Sequence, residues 1–272
     1  MSDHPTLAPI ATLPRGICVG LRGVFCDIDD TLTWEGKLIP SAFMALHQLQ
    51  LAGLRVVPIT GRPAGWVDHI ARMWPVDGVV GENGGLWFYM DKGRQRRSFV
   101  QDPEVRERNR RRLSDLAQTI LRAVPGTELA SDQPYRELDL AVDFCEDVPP
   151  LDDTAVDRIV AEFTAAGATC KISSIHVNGW YGDFDKLEGC RRFIAERYGE
   201  RLEDTLGGYA YFGDSANDET MFAAFPHSIG VANVRHFLKR MSAWPKYVCE
   251  SNGGYGFAEG VEHLLRMRQT TA

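Results

Sequence analysis

Residues 23–31 read Gly-Val-Phe-Cys-Asp-Ile-Asp-Asp-Thr, a short apolar run that leads directly into three acids. A run of this kind is typical of a strand buried on both faces of a sheet. In open α/β sheets ligands bind beyond the carboxyl ends of the strands, so acids at this position are directed at a site. A calcium-binding loop does not fit, because Leu32 stands where such a loop needs glycine and because a strand, not a helix, precedes the acids.

Short apolar runs and helical periods alternate on both sides of this stretch. On the N-terminal side of the middle region the pattern predicts a βαβαβ unit, in which Pro40 opens a helix that Gly53 stops and Pro63 opens the next. Strands are expected over 54–59, 76–80, 209–212 and 228–231. Helices are expected over 186–198 and from 216 onward. The sequence therefore predicts an α/β fold, a Rossmann-like core with a parallel sheet flanked by helices.

The middle of the chain has a different character. Runs at 86–90 and 97–100 flank Asp91-Lys92-Gly93, a hairpin signal that an ordinary crossover would not contain. Helical and alternating patterns then follow up to Tyr181, and they indicate a smaller inserted α+β domain. The predicted organisation is a flexible tail over 1–16, a core made of 17–85 and 182–272, and an insert over 86–181.

Composition narrows the class of protein. The 272 residues carry a formal net charge of −7, which disfavours a nucleic-acid protein held by phosphate contacts. The apolar runs are too short for a membrane helix, which needs about 20 apolar residues, and the first fifteen residues do not read as a secretory signal. Six cysteines without Cys-x-x-Cys spacing fit reduced thiols, so we expect a cytoplasmic protein.

A second group of acids follows another apolar run. Residues 213–218 read Gly-Asp-Ser-Ala-Asn-Asp, so Asp214 and Asp218 also stand at a strand end. Carboxylates that converge from separate strands either share protons or hold a hard divalent cation, and oxygen ligands of this type suit Mg²⁺. Helix capping by Asp214 or Ser215 is the alternative interpretation.

Two further positions offer anion-binding groups. Thr60 supplies a hydroxyl beside the free amides of a helix start, and Lys186 supplies a cation at the opening of another helix. Each also has an ordinary interpretation, since Thr60 could serve only as an N-cap and Lys186 only as a solvated lysine.

Four short motifs, taken in their order along the chain, resemble the signature of the haloacid dehalogenase superfamily of phosphohydrolases. They are Asp27-x-Asp29-x-Thr31, Thr60, Lys186 and Gly213-Asp214-x-x-x-Asp218. The resemblance implies a phosphatase in which Asp27 attacks phosphorus and forms an aspartyl phosphate. It implies that Asp29 protonates the leaving oxygen and later deprotonates water.

The same resemblance implies the remaining roles. Mg²⁺ would be held by Asp27, by the backbone carbonyl of Asp29, by Asp214, and directly or through water by Asp218. Thr60 and Lys186 would hold the phosphoryl oxygens, and Asn217 would supply an extra contact. The partner is then a small phosphorylated molecule, with no nucleic acid and no membrane.

The insert falls at the second cap position of that superfamily and looks like the branch that contains sucrose-phosphate, trehalose-phosphate and mannosylglycerate-phosphate phosphatases and phosphomannomutases. A sugar phosphate is therefore the expected substrate. Candidate substrate contacts are Gly61 and Arg62 beside Thr60, together with His176 and Asn178 near the second crossing between insert and core.

These contacts have alternatives. His176 could be a satisfied strand histidine, and Arg62 could pair with an acid such as Glu82. At the level of function, the alternatives are a phosphosugar mutase and a non-catalytic sugar-phosphate binding module. The intact pair of Asp27 and Asp29 argues against the binding module, because binding needs neither a nucleophile nor an acid.

Overall fold

The structure is a computed structural model that describes residues 7–173 and 175–269. The strands are β1 (Ala8–Pro9), β2 (Gly23–Cys26), β3 (Thr33–Trp34), β4 (Lys37–Leu38), β5 (Arg55–Pro58), β6 (Val79–Gly81), β7 (Leu86–Asp91), β8 (Arg94–Phe99), β9 (Glu128–Leu129), β10 (Asp139–Asp143), β11 (Thr169–Ile172), β12 (His176–Trp180), β13 (Tyr209–Gly213), β14 (His227–Gly230) and β15 (Tyr247–Val248). The helices are α1 (Arg15–Gly20), α2 (Pro40–Leu51), α3 (Ala64–Met73), α4 (Pro103–Ala123), α5 (Asp153–Ala165), α6 (Lys186–Tyr198), α7 (Leu202–Thr205), α8 (Glu219–Ala224) and α9 (Gly253–Gln269).

The core is a six-stranded sheet in the order β1-β15-β14-β13-β2-β5, and every neighbouring pair is parallel. Successive side chains of a strand point to opposite faces of the sheet, so the side chains of β2 pack into two separate apolar clusters. Val24 and Cys26 belong to the cluster that includes apolar residues of α2 and α9, whereas Phe25 belongs to the one that includes residues of α6 and α8. The predicted α/β class, with a parallel sheet flanked by helices, is confirmed.

The start of the chain differs from the expected flexible tail. From residue 7 onward it is ordered: β1 pairs in parallel with β15 at the edge of the core sheet, and Ile10 and Leu13 are buried. Pairing between strands so far apart in sequence leaves no local pattern, which is why this segment was not predicted. Residues 1–6 of the expected tail lie outside the described residues.

The hairpin expected to begin the insert continues the core instead. Its strands β7 and β8 form a three-stranded antiparallel sheet with β6, and an isolated bridge between Ile59 and Val80 ties β6 to the end of β5. Leu86 and Phe88 are buried in the cluster that holds Val24 and Cys26. The boundary expected at residue 86 therefore falls inside this sheet, and we propose that the insert begins at α4.

A second antiparallel sheet, in the order β11-β12-β10-β9, forms the body of the insert, which is called the cap below. Helices α4 and α5 pack on it and share a separate apolar cluster with its strands, including Leu113, Ile159, Phe163 and Val177. The β-rich run expected over 169–177 is two strands, because the chain turns back after Ile172 and β12 starts at His176.

Two observations bear on the class of protein. None of the six cysteines, all of which lie in the described residues, forms a disulfide bond, and Cys18, Cys26, Cys190 and Cys249 are buried. Among the described residues no helix is long and apolar enough to cross a membrane.

Candidate active site

The two acid clusters meet because their strands are neighbours. Asp27 follows β2 and Asp214 follows β13, and the Asp27 N–H donates to the Phe212 carbonyl at 2.9 Å. Carboxylate oxygens of Asp27, Asp214 and Asp218 all lie within 4.8 Å of one another, and the three residues are buried. Of the described residues, these form the only group of three or more acidic, histidine or cysteine side chains placed to share a cation.

Lys186 reaches this cluster from the first residue of α6. Asp185 caps the helix by accepting the Glu188 N–H at 2.8 Å, and the ammonium group of Lys186 lies 2.6 Å from an oxygen of Asp27 and 2.6 Å from Asp218. The helix start can come this close because Gly84 (φ +102°) faces it, where a Cβ would overlap the Asp185 carbonyl. Although burial disfavours the charge, the two carboxylates raise the pKa of Lys186 above its ordinary value.

The charge balance fits a divalent cation. Burial and neighbouring carboxylates raise the pKa values of Asp27 and Asp214, even though the Lys186 cation acts in the opposite direction. Three buried carboxylates around one ammonium group leave an excess of negative charge, and the donors are all oxygen, as Mg²⁺ requires. Among the described residues, the Asp214 carboxylate accepts two long hydrogen bonds, from the Thr31 hydroxyl at 3.3 Å and from the Asn233 side-chain amide at 3.3 Å.

Asp218 differs from the other two acids. One of its oxygens accepts from Lys186 and from the Tyr211 hydroxyl at 2.6 Å, and the other accepts the N–H groups of Asp214 at 2.9 Å and Ser215 at 3.3 Å. Because both oxygens are engaged by donors of the protein, we propose that Asp27 and Asp214 would contact a metal directly and that Asp218 would act through water.

Asp29 lies beside the cluster and contacts Arg62. The Arg62 Nε lies 3.0 Å and 3.2 Å from the two carboxylate oxygens of Asp29. Arg62 also contacts Glu146 at 2.8 Å and Asp132 at 3.4 Å. The arginine therefore pairs with acids, as the alternative interpretation held, but these acids are not Glu82.

Glu82 instead joins the core to the cap. This buried carboxylate accepts the N–H of Ala64 at the start of α3 at 2.9 Å, and it also accepts the N–H groups of Glu137 at 2.9 Å, Leu138 at 2.6 Å and Asp139 at 3.2 Å. The turn that carries Glu82 is thereby tied to the beginning of β10.

Thr60 is fully buried, and its hydroxyl oxygen accepts the Arg62 N–H at 2.9 Å. The residues that line the narrow pocket between core and cap are Asp27, Asp29, Gly61, Arg62, Arg136, Ser173, Ile175, His176, Asn178, Ser215 and Asn217. Asn217 also lies 3.3 Å from the Lys186 ammonium group. Of the predicted core residues, Asp27, Asp29, Gly61, Arg62 and Asn217 line this space, whereas Thr60, Lys186, Asp214 and Asp218 lie behind them and do not line it.

The two cap residues predicted to bind substrate are engaged with other side chains. His176 Nε2 lies 2.8 Å from a Glu146 oxygen, and the Asn178 amide donates to Asp139 at 3.2 Å. Both side chains are buried and line the pocket, so they face it from the cap side.

Four charged cap residues were missed from the sequence: Asp132, Arg136, Asp139 and Glu146. Arg136 is buried and binds Asp132 and Asp139 at 2.9 Å each, as well as the Gly61 carbonyl at 2.8 Å. Glu146 follows β10, but β10 belongs to an antiparallel sheet, where the rule that acids after a strand are directed at a site does not apply, so no local signal marked this residue.

The chain is similar in sequence to known phosphatases. The family model described as haloacid dehalogenase-like hydrolase matches residues 24–104. The chain is 27% identical over 250 residues to a phosphoglycolate phosphatase of Pyrobaculum neutrophilum, covering 91% of this chain and 97% of that protein. It is 28% identical over 249 residues to a phosphoglycolate phosphatase of Methanospirillum hungatei, covering 91% and 96%.

Solved structures share the fold. A protein of Thermoplasma acidophilum superposes with a TM-score of 0.70 at 18% identity, over 90% of this chain and 98% of that one. The sucrose-phosphatase of Synechocystis superposes with a TM-score of 0.62 at 14% identity, again over 90% and 98%.

Proposed function

We propose that the chain is a phosphoric monoester hydrolase of the haloacid dehalogenase-like family, and that it works with Mg²⁺ through an aspartyl phosphate on Asp27. The observation that carries this proposal is the buried cluster of Asp27, Asp214 and Asp218 with the Lys186 ammonium group. A bound Mg²⁺ would neutralise charge on the transferring phosphoryl group.

In the proposed reaction, an Asp27 oxygen forms a bond to phosphorus while the bond from phosphorus to the leaving oxygen breaks. The electron pair of that bond stays on the leaving oxygen, which takes a proton from the Asp29 carboxyl group. Water then attacks phosphorus, gives a proton back to Asp29 and displaces Asp27. Lys186, 2.6 Å from Asp27, holds the nucleophile in place and balances negative charge.

We infer that the cap moves during turnover, and the small volume of the pocket supports this. Between core and cap it leaves a volume of about 20 Å³, roughly the space that one water molecule occupies. A phosphomonoester does not fit into this volume, so we expect substrate to enter with the cap displaced and the cap then to close over it.

The charges around the pocket favour an uncharged leaving group. Its basic side chains, Arg62, Arg136 and His176, each already contact a carboxylate. Four carboxylates surround the two guanidinium groups, namely Asp29, Asp132, Asp139 and Glu146. A carboxylate on the leaving group would meet net negative charge there, whereas hydroxyl groups could bond to Ser173, Asn178 or Asn217, and we therefore propose a sugar phosphate as the substrate.

A second candidate is phosphoglycolate. It is favoured by the names of relatives that match 91% of this chain. Phosphate release from a panel of sugar phosphates and from phosphoglycolate separates the two candidates by kcat/KM. A preference for phosphoglycolate would contradict the charge argument, and an isomeric sugar phosphate without released phosphate would indicate a mutase.

The nucleophile is tested by Asp27→Asn, which removes the attacking oxygen anion. Activity should fall by several orders of magnitude with the fold retained. Asp30→Asn is the matched control, because Asp30 has a positive φ of 57° that asparagine also tolerates and has no role in the proposed chemistry. An Asp27→Asn variant that keeps more than about a tenth of the wild-type activity would rule out Asp27 as the nucleophile.

A further inference from the structure

Arg62 connects a core carboxylate to a cap carboxylate. The Arg62 Nε and Nη2 atoms each lie 3.0 Å from a carboxylate oxygen of Asp29. Nη2 also lies 2.8 Å from a carboxylate oxygen of Glu146. The Arg62 side chain is only 8% exposed, and a third acid, Asp132 of the cap, lies 3.4 Å from its other terminal nitrogen. Asp29 and Glu146 stand on opposite sides of the boundary between core and cap, and the guanidinium group spans it.

The cap holds Glu146 in a fixed place. Asp143 at the end of β10 accepts the N–H groups of Cys145 at 2.9 Å, Glu146 at 2.8 Å and Asp147 at 2.8 Å, which folds the loop tightly. His176 Nε2 of β12 lies 2.8 Å from the Glu146 carboxylate. The loop that carries Glu146 is therefore held by hydrogen bonds within the cap.

We propose that Glu146 is a positioning residue, which acts through Arg62 to fix the Asp29 carboxyl group when the cap is seated. This inference rests on the proposed function, in which Asp29 transfers the proton. Glu146 changes neither its bonds nor its protonation during the reaction. The proton of the leaving group still comes from Asp29, and Glu146 sets only where that carboxyl group points.

A simpler role would be a latch that merely closes the cap. The protein offers a matched comparison, because Arg240 of the core and Asp153 of α5 also form an ion pair across the boundary, at 2.6 Å. The Asp153 side chain is 78% exposed, and its ion pair does not involve Asp29. Asp153→Asn therefore removes a contact between core and cap and leaves the Arg62 network in place.

The test uses phenyl phosphate and 4-nitrophenyl phosphate as probes. They are similar in shape, so loss of cap closure affects both alike, but 4-nitrophenolate leaves without a proton and phenolate needs one. General acid catalysis typically contributes about 10²–10⁴-fold to a rate, so misplacing Asp29 should slow phenol release markedly. The measured quantity is the single-turnover rate of release of the phenol.

For Glu146→Gln we expect this rate to fall about 10–100-fold with phenyl phosphate and less than about 3-fold with 4-nitrophenyl phosphate. Asp153→Asn should change both rates by the same small factor. Equal losses with both probes, no loss with either, or the same selective loss in Asp153→Asn would overturn the inference. Thermal unfolding of both variants confirms that the fold is intact, and failure of the wild-type protein to release phosphate from either probe would count against the proposed function instead.

Discussion

Asp143→Asn is expected to destabilise the protein by about 3–5 kcal/mol, because the Asp143 carboxylate holds the Glu146 loop by three backbone hydrogen bonds. One oxygen accepts from Cys145 and Glu146 and the other accepts from Asp147, at 2.8–2.9 Å. Asp143 is 1% exposed, so water cannot replace a lost bond.

The magnitude follows from the geometry. An asparagine oxygen can keep the two donors on one side, but its amide group then faces the Asp147 N–H, which loses its acceptor at a cost of about 1–3 kcal/mol. The two retained bonds also lose their charged acceptor, which weakens each by about 1 kcal/mol. Urea unfolding at pH 7, followed by circular dichroism, measures the difference in unfolding free energy.

Asp152→Asn is the matched control. Asp152 caps α5 by accepting the Ala155 N–H at 2.9 Å, but it is exposed, and asparagine is as good an N-cap as aspartate. This variant should stay within about 0.5 kcal/mol of the wild type. A loss below about 1 kcal/mol for Asp143→Asn, or an equal loss for the two variants, would refute the reasoning about buried donors.

Three further predictions concern the metal, the pH response and the helix start. Chelation should abolish phosphatase activity and added Mg²⁺ should restore it, while Ca²⁺, which is larger and less strict in geometry, should support it poorly; full activity in chelator would rule out the proposed metal role of Asp214. Although burial opposes the effect, His176 and Arg62 lower the pKa of Glu146 from 4.5 to about 2, so its stabilising contribution is complete above pH 4.5 and is lost as the pH falls toward 2. The gap in melting temperature between wild type and Glu146→Gln should therefore close over that pH range, and a gap independent of pH would contradict this assignment. Gly84→Ala should push α6 away from the Glu82 turn and lower activity by at least about 10-fold, whereas Gly93→Ala, at a hairpin tip with open space around it, should leave activity unchanged; equal activity in the two variants would show that the close approach at Gly84 does not position Lys186.

The amino-acid sequence by itself determined the core of this protein. An apolar strand followed by acids is a local pattern, and parallel neighbours bring the ends of such strands to the same edge of a sheet. The short range of these signals explains why the α/β class and the grouping of Asp27, Asp214 and Lys186 could be predicted. The helix over 186–198 was also predicted with its observed bounds, since its periodicity and its start are local features.

Tertiary structure alone decided how the cap meets the core. The pairing of β1 with β15 and the contact of Arg62 with Glu146 both join residues far apart in sequence. A long charged side chain such as Arg62 could form an ion pair with several different acids. Which acid it contacts depends on distances of a few ångströms in the folded protein, and no periodicity in the sequence encodes them. His176 and Asn178 could be placed near the pocket from the sequence. Their partners Glu146 and Asp139 could not, because these contacts also depend on the folded geometry.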